Sequence, residues 1–99
     1  MEEAKIQKDI LNLLNSCGIL AWRNSVGNRG YKKFGKKGQA DISGLIKKQG
    51  GRRLEIEVKK EIGGKVSKQQ TEFIEMINYH GGIAFVARSV SDVKEKLGL

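Results

Sequence analysis

The segment Arg53-Leu54-Glu55-Ile56-Glu57-Val58-Lys59 sets the tightest limit on the fold. Its charged and apolar residues alternate strictly, and a β-strand, with its period of two, is the element that sorts them onto opposite faces. Leu54, Ile56 and Val58 point one way; Arg53, Glu55, Glu57 and Lys59 point the other. Further on, Ser67 caps a helix that runs to about Tyr79, with Phe73, Ile74 and Ile77 on its apolar face. Gly81-Gly82 stops that helix, and Ile83 to Ala87 follows as a continuous apolar run, the pattern of a strand at a sheet centre. Strand, helix and strand in that order make a right-handed crossover.

The first half supplies the rest of the fold. Ile6, Ile10, Leu13 and Leu14 lie on one stripe of a helix over residues 3–16, which Gly18 ends. Ile19 to Trp22 reads as a short strand. Residues 24–40 are rich in Gly, Asn and charge and read as a long loop or irregular hairpin, a feature often functional in a small domain. Asp41 to Ile46 reads as a second strand, and Gln49-Gly50-Gly51 as a hairpin turn. Ser91 starts a short C-terminal helix with Val93 and Leu97. The order is α-β-β-β-α-β-α, an α/β class with a mixed sheet flanked by helices.

With 99 residues the chain is expected to form one domain. No apolar run approaches the roughly 20 residues that cross a bilayer, and the start, Met1-Glu2-Glu3-Ala4-Lys5, lacks a signal-peptide pattern. A single cysteine, Cys17, excludes an internal disulfide framework and a clustered-cysteine zinc site. A cytoplasmic location without membrane attachment is the expectation. Cys17 reads as core filler, and His80, before a glycine pair, as a helix end.

Nineteen Lys and Arg against eleven Asp and Glu leave a net charge of +8, which draws a small protein to polyanions. The distribution is more informative than the sum. Arg29, Lys32, Lys33, Lys36 and Lys37 crowd one stretch without an acidic residue, interleaved with Tyr31 and Phe34. That composition suits a phosphate backbone, with rings free to stack on exposed bases. A solvated charge run has the same look; the aromatic residues and the position just before Asp41 favour binding. Arg23 and Asn24, where this stretch begins, are further candidates for phosphate contact.

Glu57 and Lys59 leave the same face of their strand, and Asp41 stands at the start of the preceding one. If those strands pair, the two carboxylates converge. Two carboxylates beside a lysine form a hard oxygen site suited to Mg²⁺ or Mn²⁺. Taken alone, the triplet Glu57-Val58-Lys59 is an ordinary solvated strand face, and Asp41 an ordinary strand start. Glu3 falls in line with Ile6 and Ile10, which aims it at the sheet, though a frayed terminal Glu that suits the helix dipole fits as well. Gln70 lies in line with Phe73, Ile74 and Ile77, and Ser67-Lys68-Gln69-Gln70 spells a capping box. Both roles for Gln70 are compatible.

Taken in order, these pieces resemble the virus-type replication-repair nuclease (VRR-NUC) family of the PD-(D/E)XK nucleases. The resemblance runs through Glu3, Ile6-Gln7, Trp22-Arg23-Asn24, Val26-Gly27, Phe34-Gly35, Gly38, Asp41-Ile42, Gly44, Ile56-Glu57-Val58-Lys59, Ser67, Gln70 and Gly81-Gly82. One departure is that Ala40 stands where the motif has its leading proline. The resemblance implies a restriction-endonuclease-like core and a phosphodiesterase dependent on Mg²⁺ or Mn²⁺. It implies that Asp41 and Glu57 bind the ion with the Val58 carbonyl, and that Glu3 binds directly or through water. It assigns Lys59 to the attacking water and the transition-state charge, and Gln70 to positioning Lys59 or the phosphate. No small-molecule cofactor is implied.

The resulting expectation is a structure-selective endodeoxyribonuclease of branched DNA, acting on Holliday junctions as a homodimer. A flap or single-strand nuclease is the alternative within the class. A non-catalytic basic nucleic-acid-binding module, or a subunit interaction domain, is the alternative outside it.

Overall fold

The structure is a computed structural model, described here for residues 2–24 and 39–99. Helix α1 (Glu3–Ser16) leads into β1 (Leu20–Arg23), followed by β2 (Ile42–Ile46) and β3 (Arg52–Val58). Then come α2 (Lys68–Tyr79), β4 (Ile83–Ala87) and α3 (Val90–Leu97). A single 3-10 turn at Lys47–Gln49, where a plain hairpin turn was expected, joins β2 to β3. It ends on Gly50 and Gly51, both with positive φ, which glycine adopts without steric cost.

The four strands form one mixed sheet in the order β1-β2-β3-β4. The first three are antiparallel neighbours, and β3 pairs with β4 in parallel. The parallel pair is what the intervening helix α2 permits, since parallel strands need a crossover. Strand β4 is thus the outer strand of the described sheet, not a central one. Its apolar run has another cause: helices cover both of its faces. Phe85 and Ala87 pack into the main core, while α2 lies over the opposite side at Ala84.

The core lies between the sheet and helices α1 and α3. Ile6, Ile10 and Leu14 of α1 and Val93 of α3 meet Ile42, Ile46, Leu54, Ile56, Val58, Phe85 and Ala87. This is the stripe-on-alternation match that the sequence predicts. Cys17 is exposed at the C-cap of α1 rather than part of this core. The final helix starts at Val90, one residue earlier than the expected Ser91. Ser89 is its N-cap, because the Ser89 hydroxyl accepts the Asp92 N–H at 3.2 Å while Asp92 accepts the Arg88 N–H at 2.8 Å.

Gly44 allows β1 to lie close to β2. A Cβ at this position would stand 2.6 Å from the Leu20 carbonyl oxygen, inside any real contact distance. Among the described residues, no helix is long and apolar enough to cross a membrane.

Candidate functional site

The second face of β3 carries the chemistry. Because β2 and β4 flank β3 and α2 lies above, its two glutamates are not solvated: Glu55 is 0% and Glu57 3% exposed. Ile42 pairs with Ile56, so continuing the register by one residue sets Asp41 opposite Glu57. Asp41 Oδ2 accepts the Val58 N–H at 2.8 Å, which holds its carboxylate across the strand gap. The two carboxyl groups are near enough for the charge of Asp41 to act on Glu57. Asp41 and Glu57 thus stand opposite each other where the β2–β3 register is continued.

Lys59 Nζ lies 3.3 Å from Glu57 Oε2, with its side chain largely buried. The same oxygen accepts the Gln70 Nε2 hydrogen bond at 2.7 Å. Gln70 also closes the capping box of α2. Its Oε1 accepts the Ser67 N–H at 2.8 Å, and its own N–H reaches the Ser67 hydroxyl at 3.0 Å. One side chain thus serves the helix start and the site together. The other Glu57 oxygen, Oε1, is buried and has no hydrogen-bond partner among the described residues. A buried carboxylate oxygen left without a donor is costly, and a cation is one group that relieves it.

The electrostatics agree. Burial, and next the Asp41 charge, push Glu57 up to about 7, against the pull of Lys59. Burial also raises Asp41, although the Val58 N–H works the other way. Two carboxyls forced together in a poorly solvated place disfavour double ionisation, and a divalent cation reverses that penalty. Hard oxygen donors of this kind suit such an ion.

Glu3 is placed nearby but does not complete a third carboxylate in the cluster. Among the described residues no group of three His, Cys, Asp or Glu side chains gathers closely enough to hold an ion. The reason is local: Glu3 Oε2 accepts the Lys60 N–H at 3.3 Å, so the carboxylate is turned to the backbone beyond Lys59. Its negative charge still reaches Asp41.

The expected phosphate contacts divide. Arg23 is exposed at the end of β1. Asn24 is turned inward, with its Nδ2 donating to the Ala40 carbonyl and the Ser43 hydroxyl, each at 2.8 Å. Two N–H bonds meet two protein acceptors, so this amide nitrogen is not presented to a phosphate. Arg29, Lys32, Lys33, Lys36 and Lys37 lie outside the described residues.

Two further residues escaped the sequence reading. Glu55 accepts from the Ser43 hydroxyl at 3.0 Å and pairs with Arg53. The alternation of β3 puts it on the Glu57 face, and that was the available signal for it. Arg88 donates to the Lys60 carbonyl at 2.9 Å and the Gly64 carbonyl at 2.7 Å, bracing the turn beyond Lys59. Nothing in the local sequence marks that link, which spans more than twenty residues.

A helix-flanked mixed sheet with a carboxylate pair and lysine on adjoining strands places the chain in a class of compact α/β domains. A solved structure described as a VRR_NUC domain protein has the same fold. The TM-score is 0.70 at 22% identity, over 99% of this chain and 86% of that one. The sequence model of the VRR-NUC domain matches residues 1–91. The chain belongs to the VRR-NUC family, nucleases of the PD-(D/E)XK type. No match is found among curated proteins.

Proposed function

We propose that the protein is a divalent-metal-dependent endonuclease that hydrolyses phosphodiester bonds in branched DNA, above all in four-way junctions, as a homodimer. One observation carries the metal dependence. Asp41 and Glu57 face each other across β2 and β3, and Glu57 Oε1 is buried without a partner among the described residues. Asp41, Glu57 and the Val58 carbonyl are the groups that would hold Mg²⁺ or Mn²⁺, with Glu3 reaching it through water. When bound, the ion supplies Lewis acidity to the phosphate and eases ionisation of a water.

The remaining steps belong to the chain. Lys59, held by Glu57 at 3.3 Å, keeps a positive charge where the phosphate gathers negative charge in the transition state. As an ammonium group it also orients the attacking water. Gln70 fixes Glu57 Oε2 and so the Glu57–Lys59 geometry. Arg23, with Arg29, Lys32, Lys33, Lys36 and Lys37, follows the DNA backbone. The family resemblance supports the junction substrate and the homodimer: two sites related by two-fold symmetry match the two strands cut in a junction.

The test is a labelled four-way junction incubated with and without Mg²⁺, beside flap and linear substrates. Paired symmetric nicks that need the ion support the proposal. Cuts confined to flap or linear DNA replace it with the flap-nuclease alternative. Tight, salt-dependent DNA binding without Mn²⁺ binding in calorimetry replaces it with a non-catalytic module.

A further inference from the structure

Asn24 does not behave as the phosphate contact its position suggests. Its backbone N–H donates to the Asp41 carbonyl at 2.8 Å. Its side-chain Nδ2 donates to the Ala40 carbonyl, also at 2.8 Å. The peptide groups on both sides of the Asp41 Cα are therefore pinned by one residue. Those two peptides define the φ and ψ of Asp41, and the Val58 N–H fixes its carboxylate. Asp41 is left with little freedom to turn away from Glu57.

Asn24 is itself anchored. The same Nδ2 reaches the Ser43 hydroxyl at 2.8 Å, Ser43 donates to Glu55 Oε1 at 3.0 Å, and Glu55 pairs with Arg53. Ser43 is 1% and Glu55 0% exposed, so the chain of hydrogen bonds is buried and directional. Buried links of this kind are rigid because each group has no water to turn to. None of these residues touches the Glu57–Lys59–Gln70 group in the contacts described above. Their common end point is the backbone around Asp41.

We infer that Asn24 is a positioning residue for Asp41, and that buried Ser43 and Glu55, the latter paired with the exposed Arg53, form the anchor that keeps Asn24 in place. The inference rests on the metal-dependent reading proposed above. Residues that orient a metal ligand through hydrogen bonds change affinity for the ion without contacting the substrate. Asn24 also ties residue 24 to residues 40 and 41, just before β2.

The experiment compares wild type with Asn24→Ala in three measurements on the full chain. These are Mn²⁺ affinity by calorimetry, affinity for a four-way junction in EDTA across a salt series, and cleavage rate. The expected result is Mn²⁺ affinity weakened about tenfold, slower cleavage at fixed Mn²⁺, and unchanged DNA affinity and salt slope. Unchanged Mn²⁺ affinity overturns the inference, and so does weaker DNA binding in EDTA at an unchanged salt slope, the mark of a lost uncharged contact to the DNA backbone. If Asn24→Ala does not fold, Ser43→Ala is measured in the same way. It removes only the anchor beneath Asn24, and weaker Mn²⁺ binding supports the inference while unchanged binding overturns it. A wild type that binds no Mn²⁺ defeats the nuclease reading itself. A wild type that binds it no better than a folded Asn24→Ala defeats this inference alone.

Discussion

Gln70 donates from Nε2 to Glu57 Oε2 at 2.7 Å while its Oε1 accepts the Ser67 N–H at 2.8 Å. The first bond orients a proposed metal ligand; the second closes the start of α2. Substitution separates the two. Ser67→Ala removes only the cap and should cost about 1 kcal/mol in urea unfolding, with cleavage per folded molecule unchanged. Gln70→Ala removes both bonds. It should cost a similar amount of stability and also slow cleavage about tenfold or more, the usual effect of losing a ligand-orienting contact. Equal cleavage rates in the two variants would show that Gln70 has a capping role only.

Glu57 makes stability depend on pH in a direction opposite to an ordinary surface carboxylate. Its folded value, raised to about 7 from 4.5, means that the folded state binds the proton more tightly than the unfolded chain. The resulting stabilisation is complete below about pH 4.5 and is lost as pH rises through about 7. Burial moves Asp41 in the same direction. In EDTA, wild type and Glu57→Gln should be close in stability near pH 5. By pH 8 wild type should be weaker by on the order of 2–3 kcal/mol, or about 10 °C in melting temperature. Adding Mn²⁺ should restore wild type and leave Glu57→Gln unmoved. Parallel pH curves for the two proteins in EDTA count against a strained Glu57.

The parts of this arrangement that follow from periodicity were legible in the sequence. The alternation of β3, the stripe of α1 and the Ser67 cap each fix an element through neighbours only a few residues away. Asp41 and Glu57 could be paired on paper because antiparallel strands bring a strand start opposite a strand end. Burial was harder to see, since it depends on what covers a face. Glu55 has the same local pattern as a solvated residue, and only β2, β4 and α2 together make it buried. For the same reason the apolar run of β4 resembled a central strand, although helix cover on both faces gives an outer strand that composition. The place of Asn24 where the basic stretch begins suggests a phosphate contact; its partners Ala40 and Ser43 lie sixteen and nineteen residues away. The choice between Ser89 and Ser91 turned on where Asp92 directs its side chain, a tertiary detail.

Gly44 gives a test of the sheet itself. It pairs with Ala21, and a methyl group there would meet the Leu20 carbonyl oxygen at 2.6 Å. The obstacle is backbone, so no side chain can swing aside to admit it. Gly44→Ala should destabilise by about 1–3 kcal/mol through overpacking, whereas Leu45→Ala, at a neighbouring exposed position, should change stability by less than about 1 kcal/mol. Because β1 leads directly to Asn24, Gly44→Ala should also weaken Mn²⁺ binding in the folded fraction. Retained stability in Gly44→Ala would mean that β1 does not lie so close to β2.

Lys59 has two separable effects on the site. Its ammonium group lies 3.3 Å from Glu57 Oε2 and lowers the Glu57 pKa against the larger effects of burial and Asp41. Lys59→Ala removes that opposing influence, so the Glu57 carboxyl should hold its proton to still higher pH. Mn²⁺ and the proton compete for the same carboxylate, and the pH midpoint for Mn²⁺ binding should therefore move upward. Above that midpoint Mn²⁺ binding should survive, because the oxygens of Asp41 and Glu57 remain. Cleavage should nevertheless stay reduced by about 10²–10³-fold, the usual cost of removing a charge aimed at the transition state. Calorimetry at several pH values, set beside cleavage rates at the highest of them, separates the two effects. If raising the pH restores full cleavage, Lys59 acts only by tuning Glu57 and has no direct part in the chemistry.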